Sequence, residues 1–215
     1  MPVLASSRQP EQDPNWYVGR AGRAVLDSEW PWLDEALRAR PGLPWLVLSA
    51  VRRPGFIAHP HGLWLSPDDA GWRGEVRCGA ALPLASESVG TVVVQHVGRP
   101  SGALDWLAES ARVLVPGGRL WLFALNPLSP YRRHWFSADA AGHEPVSWRR
   151  ALRRAGLHAD AVARGLGPRW RAEADAASQQ GAGARAAYGL YAEKRHIPLT
   201  MQRAPLLVPA LGEAT

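Results

Sequence analysis

His96 follows a β-branched, apolar run from Val89 to Gln95. An imidazole at a strand end titrates near neutrality and could act as a general base. The same position suits a hydrogen-bonded structural histidine equally well. Other reactive or polar residues also stand just past apolar runs. Ser49, Ala50, Val51 and Arg52 follow Trp45–Leu48, Asp68 and Asp69 follow Gly62–Ser66, Cys78, Gly79 and Ala80 follow Glu75–Arg77, and Asn126 follows Arg119–Leu125. Asp68 offers oxygen acceptors to a hydroxylated ligand, although Pro67-Asp68-Asp69 is also ordinary turn chemistry. Tyr131, His134, Trp135 and Phe136 could line a substrate cavity or pack as core. Cys78, the one cysteine, has no partner pattern for nucleophilic catalysis, and it cannot form an internal disulfide. His59-Pro60-His61 is too sparse for a metal site, which takes three or four ligands.

Elements that would position these residues follow from periodicity and punctuation. A short apolar run bounded by breakers, such as Trp45–Leu48, reads as a parallel strand buried on both faces. Gly62–Ser66, Glu75–Cys78, Val89–Gln95 and Arg119–Ala124 read as further strands. Between the last two, Leu104, Leu107, Ala108, Ala111 and Leu114 form one helical stripe over Ala103–Leu114. Val115-Pro116-Gly117-Gly118 ends that helix, with glycine supplying left-handed backbone. Upstream, Trp16–Arg40 reads as one or two helices, with Asp27 or Ser28 as a cap and Pro31 in an early turn. Downstream, Val146–Ala155 reads as a helix stopped by Gly156, Leu157–Ala163 as a strand, 164–184 as a mobile loop or frayed helix, and Ala187–Arg195 as a last strand.

The expected fold is therefore a single α/β domain. It has a Rossmann-like, open, twisted and mostly parallel sheet, one antiparallel strand near the C-terminus, and helices on both faces. Residues 1–15 are expected to be disordered. The domain spans 16–196, with 16–40 as a helical cap, and 197–215 is a tail. In such sheets ligands bind beyond the carboxyl ends of the strands, where strand order reverses, and all the residues named above except those of the Tyr131–Phe136 and His59–His61 groups sit at such ends.

Composition excludes little beyond this. The 215 residues are 47% hydrophobic and 20% charged, which is ordinary for a globular domain. No apolar run approaches the roughly 20 residues that span a bilayer, and no basic start precedes an apolar core, so the expected location is cytoplasmic with no membrane partner. The formal charge of +6 is carried almost wholly by arginine, since Lys194 is the only lysine. A solvated, arginine-biased surface accounts for it. A nucleic-acid surface at Arg132, Arg133, His134, Arg149, Arg150, Arg153 and Arg154 is the sharper alternative, but no base-reading motif or aromatic platform accompanies it in the sequence.

A family resemblance rests on specific residues. Leu82-Pro83-Leu84, Ser88–Val94 and Glu109-Ser110-Ala111-Arg112-Val113-Leu114-Val115-Pro116-Gly117-Gly118-Arg119-Leu120 together resemble the class I S-adenosylmethionine-dependent methyltransferases of the type 11 kind. Gln95-His96-Val97, Asn126-Pro127-Leu128-Ser129, Glu193–Thr200, Trp16-Tyr17 and Gly22–Leu26 resemble a bacterial branch of that family. The resemblance covers nearly the whole chain. It implies S-adenosylmethionine as cofactor, held by Ser49, Ala50, Val51, Asp68, Cys78, Gly79, Ala80 and His96. It also implies a small-molecule or macromolecular methyl acceptor near Asn126, Tyr131, His134 and Trp135, and His96 as catalytic candidate. The chain departs from the family pattern at two places. Ser49-Ala50-Val51-Arg52 has no G-x-G, and Cys78 stands where an adenine-facing carboxylate is usual. The implied functions are thus a methyltransferase with weakened cofactor binding or, alternatively, an inactive methyltransferase-like module that binds a partner through its arginines.

Overall fold

The computed structural model describes residues 14–51, 61–68, 71–98, 105–135 and 143–195. Two helices lead: α1 (Pro14–Val18) and α2 (Arg20–Arg38). The strands β1 (Trp45–Ser49), β2 (Gly62–Asp68), β3 (Gly71–Gly74), β4 (Arg77–Cys78) and β5 (Val89–Gln95) follow. Then come α3 (Trp106–Val113), β6 (Leu114–Leu125), a 3₁₀ turn at Pro130–His134, and α4 (Pro145–Arg154). The chain closes with β7 (Leu157–Ala159), β8 (Arg164–Leu166), β9 (Gln179–Gln180) and β10 (Ala187–Lys194). Residues 1–13 of the start expected at 1–15, the tail at 197–215, Arg52, Asp69, His59, Phe136 and the first turn of the expected helix at 103–104 lie outside the described residues; residues 14 and 15 belong to α1.

All strands join one sheet in the order β4-β3-β2-β1-β5-β6-β10-β8-β9, with β7 pairing β10. The centre β2-β1-β5-β6 is parallel. Every residue of β1 and β5 is buried, as a strand covered on both faces requires. One face packs Leu46, Leu48, Val92, Val94, Leu120 and Leu122 beneath Trp106, Leu107, Trp148 and Leu152 of α3 and α4. The other packs Val47, Val93 and Phe123 beneath Leu33, Ala36 and Leu37 of α2. The α/β class, the parallel centre and the helices on both faces are as expected. Strand order reverses about β1, whose neighbours are β2 on one side and β5 on the other.

Several local expectations are corrected. The antiparallel portion is larger than one strand. β2, β3 and β4 form an antiparallel meander at one edge, and β7, β8 and β9 add antiparallel pairs beside β10. Gly71 and Gly74 permit the first meander: a side chain at Gly74 would strike the Trp64 carbonyl. Of the expected strand Leu157–Ala163, only Leu157–Ala159 is a strand, β7, followed by a bend. The 164–184 segment holds β8, paired with β10, and β9, paired with β8, rather than a helix. α2 is continuous through Pro31, so Ser28 is not its cap. Ser28 Oγ donates to the Ala24 carbonyl at 2.5 Å, one turn back, and accepts the Asp175 N–H at 2.9 Å. β6 begins five residues early, because Leu114 pairs with Val89 before a bulge at Val115–Gly118 restores register at Thr91 and Arg119. Gly117, at φ +74°, takes the left-handed turn expected of it.

Candidate functional site at the carboxyl ends of the central strands

Three neighbouring chain segments meet where β1 and β5 end beneath α2. Ser49 Oγ donates to Gln95 Oε1 at 3.1 Å. Gln95 Nε2 in turn donates to Glu29 Oε2 at 2.8 Å, and His96 Nε2 lies 2.9 Å from the same oxygen. Glu29 is 0% and His96 1% exposed. Tyr17 of α1 stacks on the His96 ring with centroids 5.0 Å apart. His96 itself sits at φ +55°, a conformation that histidine adopts at a cost of about 1 kcal/mol. That turn swings its ring under α2 instead of outward. Its backbone N–H still donates to the Phe123 carbonyl, which fixes the turn to β6.

Glu29 was hidden in the sequence in one sense only. It lies on the apolar stripe of α2, four residues after Val25 and four before Leu33, both buried. An acid in the middle of such a stripe signals a buried polar partner, because an unpaired carboxylate there would be prohibitively desolvated. The partner's identity could not be read, since 67 residues separate Glu29 from His96. Gly22 allows α1 to close over this site: a Cβ there would meet the Trp16 carbonyl and Tyr17 Cα at 2.4 Å.

The remaining candidates divide. Asn126 is buried and wholly committed to the fold. Its Nδ2 donates to the carbonyls of Gly183 and Arg185, and its Oδ1 accepts the Leu128 N–H across an Asn-Pro turn. Tyr131 is buried, with its hydroxyl donating to the Ala21 carbonyl at 3.0 Å; burial pushes its pKa up to about 12. Trp135 packs with Tyr131, Trp16, Tyr17 and Leu125. These aromatics hold α1 and α2 onto the sheet. His134 is at the surface, where Nε2 lies 3.1 Å from the Trp170 carbonyl. On the far side, Asp68 pairs with Arg77 at 2.8 Å and Arg73 at 3.2 Å. Cys78 lies on β4, separated from β2 by β3. Burial, with the Glu109 carboxylate adding to it, pushes its thiol up, so it stays neutral at physiological pH.

Of the residues that the family resemblance assigns to S-adenosylmethionine, Asp68 brings a carboxylate to the end of β2, and Gly79 is exposed with open space where a Cβ would stand. Ser49, Ala50 and Val51 carry side chains where that resemblance would put glycines. The Ala50 N–H is spent on the Gln95 carbonyl, and the Val51 N–H on Ser49 Oγ. A loop that offers free N–H groups to a ligand carboxylate cannot do so while these bonds hold.

A separate cavity of about 700 Å³ lies beside α2 on the face of the sheet, bordered by Trp32, Trp121, Phe123, Arg164 and Tyr191. It is away from the strand ends that carry Ser49 and His96. Among the described residues, no cluster of three or more His, Cys, Asp or Glu could hold a metal, and no helix is long and apolar enough to cross a membrane.

This sheet order and helix placement identify the class. No family model matches the chain, and no curated protein matches its sequence. Among solved structures, the chain is similar to an S-adenosylmethionine-dependent methyltransferase from Thermotoga maritima, with 18% identity over 85% of this chain and 99% of that one and a TM-score of 0.52. It is also similar to an S-adenosylmethionine-dependent methyltransferase from Aquifex aeolicus (15% identity, 84% and 98% covered, TM-score 0.49). A third is the methyltransferase seen in complex with the Haloferax volcanii activator Trm112 (17% identity, 89% and 100% covered, TM-score 0.47). The chain has the fold of the class I S-adenosylmethionine-dependent methyltransferases.

Proposed function

We propose that the chain is an S-adenosylmethionine-dependent methyltransferase with a weakened grip on the cofactor's methionine end. The observation that carries this is the fold itself, with its ligand-binding crevice at the reversal of strand order beside β1. S-adenosylmethionine, when bound, supplies a methyl group on a sulfonium, and displacement from it is promoted chiefly by proximity and orientation. No acid–base triad is required of the protein. In this reading Asp68, Gly79 and Ala80 hold the adenosine, and Ser49 to Val51 border the methionine end. His96 acts as a buried hydrogen-bonding post rather than a base, since Glu29 and Tyr17 cover its ring.

The second reading is a module that keeps the fold without the transfer and binds a partner instead. What favours it is the buried Ser49–Gln95–Glu29–His96 chain, in which these side chains bond to one another. Isothermal titration with S-adenosylmethionine and with its demethylated product separates the two. The enzyme reading expects a dissociation constant in the high micromolar range or weaker, tightened at least threefold by Val51→Gly. Absence of both heat and thermal shift at millimolar ligand, in the wild type and in Val51→Gly alike, would leave the second reading standing.

A further inference from the structure

The sequence alone shows arginines without an aromatic platform, and the tertiary structure supplies one. Trp170 is 56% exposed, an unusual position for an indole. The Arg133 guanidinium lies over its ring, 5.8 Å from the centroid, and Arg133 Nη2 donates to the Trp170 carbonyl at 2.7 Å. Arg169 and Arg171 are exposed beside it, and Arg20 reaches the neighbouring Ala172 carbonyl at 3.2 Å. Local counter-charge is small. Glu173 pairs with Arg20 at 3.5 Å, and Asp175 is taken by the buried Arg185.

The display is built, not incidental. Arg185 donates to the Gly167 carbonyl as well as to Asp175, Ala186 N–H donates to the Pro168 carbonyl, and Asp175 N–H donates to Ser28. The segment around Trp170 is therefore pinned on both sides, so holding the indole outward demands little further ordering when a ligand arrives. Beside it lies a hollow of about 460 Å³, lined by Arg169, Trp170, Arg171 and Arg185 together with the carboxylates Glu173 and Asp175, which are paired with Arg20 and Arg185. Through Arg133 and His134 the platform adjoins the 3₁₀ turn that follows β6, at the same end of the sheet as His96 and Asn126.

We propose that this surface binds single-stranded nucleic acid, with a base stacked on Trp170 and the flanking phosphates held by the surrounding arginines. Stacking on an exposed aromatic ring inside a cationic track is how such strands are held without sequence readout. Arginine suits both parts, because its planar fork pairs bidentately with phosphate and stacks on bases. An acidic protein surface would satisfy the charge and leave the indole unused. The site stands on its own observations, and binding is read without any cofactor.

The test is fluorescence anisotropy of a labelled twelve-nucleotide oligouridine with the full chain, at 50 and 200 mM KCl. The expected result is saturable binding at the lower salt. Four phosphate contacts imply an affinity loss of about fifty-fold between the two salts. Trp170→Ala should weaken binding roughly tenfold at unchanged melting temperature, because the side chain is mostly exposed. Arg169→Ala with Arg171→Ala should flatten the salt dependence. Absence of binding at 50 mM salt overturns the proposal. So does binding that Trp170→Ala leaves unchanged, or that heparin or anionic vesicles match in affinity with the same indifference to Trp170, since the surface would then be a bare polyanion contact.

Discussion

The two halves of the central sheet are held down by different chemistry. On one face, α3 and α4 cover β5 and β6 with Trp106, Leu107, Trp148 and Leu152, an apolar seal with Trp106 and Trp148 rings 5.7 Å apart. At its rim, Glu109 and Arg112 clamp the Leu82–Leu84 turn: Glu109 accepts the Leu82 N–H, and Arg112 donates to the Leu82 and Leu84 carbonyls. The Arg112 hydrogen bond holds the Glu109 carboxyl below its ordinary range. At the strand ends, the apolar packing of α1 and α2 is joined by a desolvated polar chain from Ser49 through Gln95 and Glu29 to His96. An apolar seal tolerates imperfect geometry, because its energy scales with area. A buried polar chain is penalised at each unpaired group, and here Glu29 Oε1 and His96 Nδ1 are buried without a hydrogen-bond partner. The first region is thus tolerant of small shifts, and the second is sensitive to them.

The largest expected effect tests the apolar side. Trp148→Ala removes a fully buried indole and should lower stability by about 4 kcal/mol in urea denaturation, without selectively loosening α1 and α2. A loss under 1 kcal/mol would mean that α4 is not part of the seal.

Glu29→Ala should cost about 3 kcal/mol, since it strands His96 and Gln95 among apolar neighbours. Its distinguishing signature is regional. Hydrogen exchange should accelerate in α1 and α2 while β5 and β6 keep their protection. Uniform acceleration would erase the distinction between the two regions.

The smallest effect concerns Tyr131, which ties the 3₁₀ turn to α2. Its folded-state pKa, about 12, lies above the usual value near 10 because burial disfavours the phenolate. Its contribution is thus fully present below pH 10 and is lost as pH rises toward 12. Tyr131→Phe should cost about 1 kcal/mol at pH 7 and flatten the alkaline decline in melting temperature within that window. An unchanged alkaline limb would show that another group governs it.

Legibility in the sequence followed the range of the interactions. The β5–α3–β6 unit was readable because its signals are local: a β-branched run, a helical stripe, and a Pro-Gly-Gly turn with Gly117 left-handed. The absence of a G-x-G after β1 and the cysteine at position 78 were readable for the same reason, as residue types. The edge meander was misread as a single strand at Glu75–Cys78, because two- and four-residue strands carry almost no periodic signal. The strands of the 164–184 segment were not legible because they exist through pairing, β8 with β10 and β9 with β8, and not through any pattern of their own. Tyr131 and Trp135 could have lined a cavity or packed as core, and composition does not separate a wall from a floor.

By itself, then, the sequence determined the α/β class, the parallel centre and the turn geometry at Gly117, since each depends on local dihedral preference or hydrophobic period. Only the tertiary structure decided that Glu29 meets His96 and that Trp170 meets Arg133. Those contacts join residues 67 and 37 positions apart, and such partners are chosen by the packing of α2 and the final loops on the sheet.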